Sequence, residues 1–219
     1  MAPCGTSGMT FVREVVRDAA VGVAVADRPE DLVAIRKPGC AAAIWRRQAA
    51  PAFQSWLDAL PSTQLPRLRA TLRPEDVSDA LSQLFDRART PKCAERVQLI
   101  DDMAALAHLF ADLMQARYLQ VRLEPVKTNA CRKFHVDAVM ARLICTYRGT
   151  GTQYGISKKG DDPLRVFTVP TGSPILLRGT LWPDSPRSGL LHRSPPIEGS
   201  EETRLVLVLD PVFDREDAL

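Results

Sequence analysis

Four residues in this chain have the types and spacing to do chemistry together. His135 and Asp137 form an H-x-D arrangement, His192 follows far downstream in GLLHRSPP, and Arg204 opens the apolar run RLVLVLD about a dozen residues after that. Two imidazoles and one carboxylate suit a divalent iron held on one face, with other positions left open for substrate and oxygen. In an extended strand Arg204 shares a face with Val206 and Val208, so it projects a cation into an apolar interior. A buried guanidinium without a partner is very costly, and arginine suits two-point recognition of carboxylates. An inward Arg204 therefore implies an anion, either a protein carboxylate or a bound small acid.

Strand parity extends the argument. His135 and Asp137 point to one side if both are extended, and the same parity runs on to Leu143, Cys145 and Tyr147, with Arg142 on the other face. Cys131 stands just before His135. Together Cys131, His135, Asp137 and His192 could close a tetrahedral zinc site, and Cys145 could contribute instead. A thiolate ligand would favour zinc over an iron with open positions. The plain reading of either cysteine is a small buried hydrophobe. His108, the remaining histidine, lies on an apolar helical stretch and reads as a core or boundary residue. Arg193 should face away from the neighbouring His192.

The elements that must position these groups fall into two halves. Residues 1–10 carry no periodicity, and 11–26 fit helix or strand equally. Residues 31–47 read as two short strands about Pro38-Gly39. Pro51 and Pro74 start helices. From about Cys93 to Arg117 the residues Val97, Ile100, Ala104, Ala107, Ala111 and Met114 fall at helical spacing, within a stripe wide enough to be buried against a sheet. Beyond Arg117 the period changes to two, and strands and turns continue to Val212. Many short strands after a helical lead-in predict an antiparallel sandwich or jelly roll with helices on one outer face. The organisation expected is a helical lead-in over 1–117, a metal-binding core over 118–213 and a tail over 214–219.

Composition narrows the partners. The chain has 219 residues, 45% hydrophobic and 25% charged, with a net charge of +3 and no block of like charge. Nothing in this pattern predicts nucleic-acid or membrane binding. Five cysteines without a C-x-x-C pair, no signal peptide and no apolar run near the roughly 20 residues of a membrane span point to a cytoplasmic protein with reduced thiols.

The order H-x-D, a long gap, His, then a basic residue about a dozen positions on resembles the iron(II)/2-oxoglutarate-dependent oxygenases, and its prolyl-hydroxylase-like branch in particular. In that branch a strand with Thr and Tyr follows H-x-D, as in RLICTY, then a glycine-containing turn, as in GTGTQYG. A later strand begins after a Gly, as in PTGSPILLRGT. The likeness covers roughly 130–210. It implies an α+β fold with a double-stranded β-helix (jelly roll) core and N-terminal helices packed on one face. It implies iron(II) on His135, Asp137 and His192, and 2-oxoglutarate with its distal carboxylate on Arg204, a contact to which Tyr147 or Thr146 adds a hydroxyl. Decarboxylation of the 2-oxo acid would then be coupled to oxidation of a small-molecule or protein substrate. The run departs from the branch at Gly149-Thr150-Gly151, where paired glycines are usual, and PDSPRS before His192 matches no substrate-specific branch. The segments CRKFHVD, TYRGTGT and LLHRSPP also resemble a bacterial family of unknown function, which implies a metal context. Zinc without catalysis is the second reading.

Overall fold

A computed structural model describes residues 21–129, 131–157, 161–184 and 186–214. The expectations for residues 1–20 and for the tail beyond 214 lie outside the described residues. Among the described residues, ten strands and three α-helices follow one another in the chain. They are β1 (Gly22–Ala26), β2 (Cys40–Trp45), α1 (Pro51–Ala59), β3 (Leu68–Leu72), α2 (Val77–Arg87), α3 (Ala94–Met114), β4 (Tyr118–Val126), β5 (Ala141–Arg148), β6 (Gln153–Ile156), β7 (Phe167–Thr168), β8 (Pro174–Arg178), β9 (Leu190–Arg193) and β10 (Arg204–Val212). A 3-10 helix, Pro29–Arg36, stands where the sequence predicts a first strand before Pro38. Its Leu32 and Ile35 are fully buried, and that spacing of three suits a 3-10 turn better than a strand.

Seven strands form the larger sheet in the order β1-β2-β8-β5-β10-β4-β3, and three form the smaller one, β7-β6-β9. Within the larger sheet only the β1–β2 pair is parallel. The fold is mixed, mostly sheet with few helices. Three strands that precede α3 belong to the same sheet as the strands that follow it, so both halves of the chain build one layer.

Two apolar clusters lie on the two faces of that sheet. The larger joins Phe53, Leu81, Phe85, Leu99, Met103 and Phe110 of the helices to Leu119, Val121, Leu143, Cys145, Leu207 and Leu209 of the strands. The smaller lies between the sheets and joins Ala42, Ile44, Ile144, Ile175, Leu177, Leu190 and Val206. Helix α3 carries a wide apolar stripe that packs against the sheet and α2, with Leu99, Met103 and Phe110 fully buried and Gln98, Asp101, His108 and Asp112 on its exposed face. It ends at Gln115, which adopts a left-handed conformation with φ 53. No helix among the described residues is long and apolar enough to cross a membrane.

Candidate metal centre

His135 and His192 meet through the backbone. Each amide donates to the other's carbonyl at 3.0 Å, an isolated antiparallel bridge that ties the H-x-D segment to β9. The two rings consequently stand 4.5 Å apart. Asp137 follows two residues after His135, just before a bend at 138–140 that docks against the end of β8. Thr180 N–H donates to the Asp137 carbonyl at 2.9 Å, and Gly179 N–H to that of Met140 at 2.9 Å. Only glycine fits there, because a Cβ on Gly179 would lie 1.9 Å from the Val139 carbonyl oxygen.

One ligand atom from each of His135, Asp137 and His192 lies within 4.8 Å of the others. The His135 Nδ1 is 2.9 Å from the Lys133 carbonyl, which can only accept, so Nδ1 carries a proton and Nε2 is the nitrogen turned toward Asp137. His192 Nε2 is 3.0 Å from Asp137 Oδ2, yet Oδ2 is buried and receives no hydrogen bond. A buried carboxylate oxygen without a donor is expensive in an apolar site, and a cation removes that cost. Burial pushes the His192 ring toward its neutral form, against the pull of Asp137. Burial also pushes Asp137 up, but its contact with His192 and the charges of His192, Arg142 and His135 hold it at about 2. A neutral His192 ring and an ionised Asp137 carboxylate are protonation states that suit a divalent ion.

The parity expected from H-x-D does not carry into β5. The bend at 138–140 breaks the extended run, so the faces exchange between Asp137 and Ala141. Arg142 therefore points between the sheets. It pairs with Asp137 Oδ1 at 2.5 Å through Nη1, and holds Asp210 through Nε at 2.6 Å and Nη2 at 2.7 Å. Asp210 also accepts from Arg122 at 3.1 Å. Tyr147 and Cys145 lie on the opposite face, under the helices. The Tyr147 hydroxyl donates to Asp102 of α3 at 2.6 Å, and Asp102 is gripped at 2.5 and 2.6 Å by the two terminal nitrogens of Arg47. Burial pushes the Cys145 thiol up to about 12, which suits an inert core thiol. Neither Tyr147 nor Cys145 reaches the metal cluster.

Arg204 does point between the sheets, from the first position of β10, and is 1% exposed. Its Nε donates to the Thr150 carbonyl at 2.6 Å, its Nη1 to Ser194 Oγ at 3.3 Å and its Nη2 to Thr146 Oγ1 at 3.2 Å. All three acceptors are neutral. Glu202, the nearest acid in sequence, uses its two oxygens on Thr150, at 2.5 Å to the amide and 2.9 Å to the hydroxyl. Gly149, at φ 77, makes the turn that brings Thr150 to both. Burial lowers the Arg204 pKa to about 10, with Glu202 raising it only in part, so the guanidinium stays charged at neutral pH. Among the described residues no carboxylate pairs with it.

His135, His192, Arg142 and Arg204 line one cavity of about 120 Å³, floored by Ile144, Val206 and Val208. At roughly 10–15 Å³ per water-sized position, such a space admits on the order of ten non-hydrogen atoms. Cys131 also lines it but is outside the ligand cluster. Arg193, expected to face away from His192, lines the same cavity, donating to Gln153 Oε1 at 2.9 Å and stacking 4.3 Å from the Phe134 ring. His108 is exposed on α3.

A family model described as "Protein of unknown function (DUF1826)" matches residues 26–210. The chain belongs to that family. No curated protein matches it. Among solved structures it is similar to a dioxygenase for auxin oxidation from Arabidopsis thaliana, solved as a 2-oxoglutarate complex. The TM-score is 0.51 at 10% identity, over 91% of this chain and 95% of that one. It is likewise similar to the dioxygenase for auxin oxidation of rice, with a TM-score of 0.52 at 12% identity, over 90% of this chain and 84% of that one. At such identities the likeness is one of fold. This member of the DUF1826 family thus shares the fold of these two dioxygenases and carries a His-Asp-His cluster that could hold a metal ion.

Proposed function

We propose that this chain is a non-haem iron(II), 2-oxoglutarate-dependent oxygenase, and that its two sheets form a double-stranded β-helix. The observation that carries this reading is Arg204. A buried guanidinium with only neutral partners shares one small cavity with a His-Asp-His cluster. A site that merely stored a metal would have no use for a second buried cation. A small keto diacid such as 2-oxoglutarate answers both groups, with its distal carboxylate on Arg204 and its keto-acid end at the metal. The apolar floor of Val206 and Ile144 lies between the two ends and suits the methylene carbons. When bound, iron supplies oxygen activation, with one oxygen atom going to succinate as carbon dioxide leaves and the other to a substrate C–H bond.

The chain's own residues do the rest. His135, Asp137 and His192 hold the ion from one side. Arg142 occupies Asp137 Oδ1 and leaves Oδ2 for the metal. Thr146 and Ser194 orient the Arg204 fork. Cys131 lies outside the cluster, which supports iron over the zinc alternative.

Anaerobic titration of metal-free protein with iron(II), then 2-oxoglutarate, tests the reading. A weak visible charge-transfer band that requires His135, Asp137 and His192, and fades in Arg204→Ala, is the expected result. No band, together with tight zinc binding that depends on Cys131, would overturn it.

A further inference from the structure

Two arginines stand opposite each other near the outer edge of the larger sheet, and one of them, Arg122, lines the cavity. Antiparallel register places Arg69 of β3 directly opposite Arg122 of β4, so both side chains leave the same face of the sheet. Arg122 lines the metal cavity, and that face is therefore the one turned toward the metal centre. Side chains directly opposite in a ladder have Cβ atoms about 4.5–5.5 Å apart, and like charges there repel. Arg122 has one carboxylate, Asp210, which it shares with Arg142 through a single contact at 3.1 Å, and its Nε is buried with no acceptor. Arg69 is exposed and pairs with no acid among the described residues. The one further carboxylate lining this wall is Glu124, on the same strand face, and it lies beyond ion-pair distance of either arginine.

An anion bridging the two guanidiniums would remove that repulsion and give the buried Arg122 Nε an acceptor. Arg204 lies on a different part of the wall: it stands opposite Val126 in the ladder, two inward-facing positions from Arg122. The acid held by Arg204 and the metal therefore leaves the Arg69–Arg122 pair unanswered. The pair stands on β3 and β4, the last two strands of the larger sheet, with Arg122 lining the cavity and Arg69 exposed outside it.

We infer that the Arg69–Arg122 pair is the receptor for the second substrate, and that this substrate is a small molecule bearing an oxyanion, either carboxylate or phosphate. This rests on the oxygenase reading, since it is the Arg204 acid that leaves the pair free. Guanidinium forks grip carboxylate and phosphate alike. The oxyanion anchors at the sheet edge and the remainder of the molecule reaches inward toward the ion, past Val208.

The test uses the zinc-loaded full chain saturated with 2-oxoglutarate, and equilibrium dialysis with radiolabelled inorganic phosphate and, separately, acetate. At least one probe binds to the saturated wild type, and which of them binds more tightly identifies the oxyanion. Arg69→Gln weakens that binding by about 10-fold or more, as loss of a charge-assisted contact does, and leaves 2-oxoglutarate affinity unchanged. Arg69→Lys restores part of it. Arg204→Gln loses 2-oxoglutarate yet still binds the probe. Neither probe binding the saturated protein, or equal binding by Arg69→Gln, overturns the inference. A single-stranded oligonucleotide that binds far more tightly than phosphate and is lost in Arg69→Gln overturns its small-molecule part. Loss of 2-oxoglutarate binding in the wild type would instead count against the oxygenase reading alone.

Discussion

Asp137 has two oxygens with different work to do. Oδ1 is held by Arg142, and Oδ2 faces His192 with no donor. Arg142 is fixed in turn by two bonds to the buried Asp210. Groups that orient a metal-binding carboxylate contribute to affinity almost as the ligand does. Arg142→Gln should therefore weaken zinc or iron(II) binding by about 10–100-fold in chelator competition, although Arg142 is no ligand. The metal-free protein should also be acid-sensitive in two steps. His192 has a lowered pKa, so below about 6.5 the unfolded chain takes a proton that the folded one refuses, and stability falls with pH. Asp137, at about 2 when folded, contributes stability that is complete above its ordinary value of 3.8 and is lost as pH falls from there toward 2. Thermal melts of the metal-free protein across pH should show both limbs, and His192→Gln should remove the upper one.

At the scale of the strand, β5 separates two jobs by alternation. Arg142 and Thr146 serve the cavity, while Cys145 and Tyr147 serve the helix layer. Two substitutions that each remove one hydroxyl should thus differ in their effect on 2-oxoglutarate affinity. Tyr147→Phe should destabilise the fold by about 1–3 kcal/mol in urea melts, through loss of the bond to Asp102, with 2-oxoglutarate affinity unchanged. Thr146→Val should weaken 2-oxoglutarate binding several-fold, because it frees one arm of Arg204, and should also cost about 1–3 kcal/mol of stability by leaving that buried arm without its acceptor. The sequence could offer Thr146 and Tyr147 only as a pair, because their assignment depends on the bend at 138–140, where no residue type announces a change of face. The Arg142–Asp210 tie escaped for the same reason. One signal for it was present: Asp210 shares its parity on β10 with Arg204, Val206 and Val208, so an inward Arg204 already implied an inward Asp210.

At the scale of the whole molecule, the sheet divides two functions between its faces. One face meets the helices in a large apolar core, and the other is lined with ions and closed by a small three-stranded sheet. Period-two strands and the wide apolar stripe of α3 were legible because burial enforces them. The contribution of β1, β2 and β3 to the same sheet was less so, because short strands such as β3 have partners distant in sequence and no turn signal to reveal them. The cavity face is built from pieces far apart in the chain: β4, the 131–137 segment, β5, β9 and β10. A ligand that bridges Arg204 to the metal therefore ties together elements that would otherwise separate on unfolding. Binding to the folded state alone stabilises by about 2.7 kcal/mol at a hundred-fold excess over Kd, which for a chain of this size raises Tm by roughly 5–10 °C. With zinc bound, 2-oxoglutarate should produce a shift of that order in a thermal melt. Metal-free protein and Arg204→Ala should show little, because each lacks one of the two anchors. An equal shift in all three samples would mean that the acid binds elsewhere, and would detach Arg204 from the metal centre.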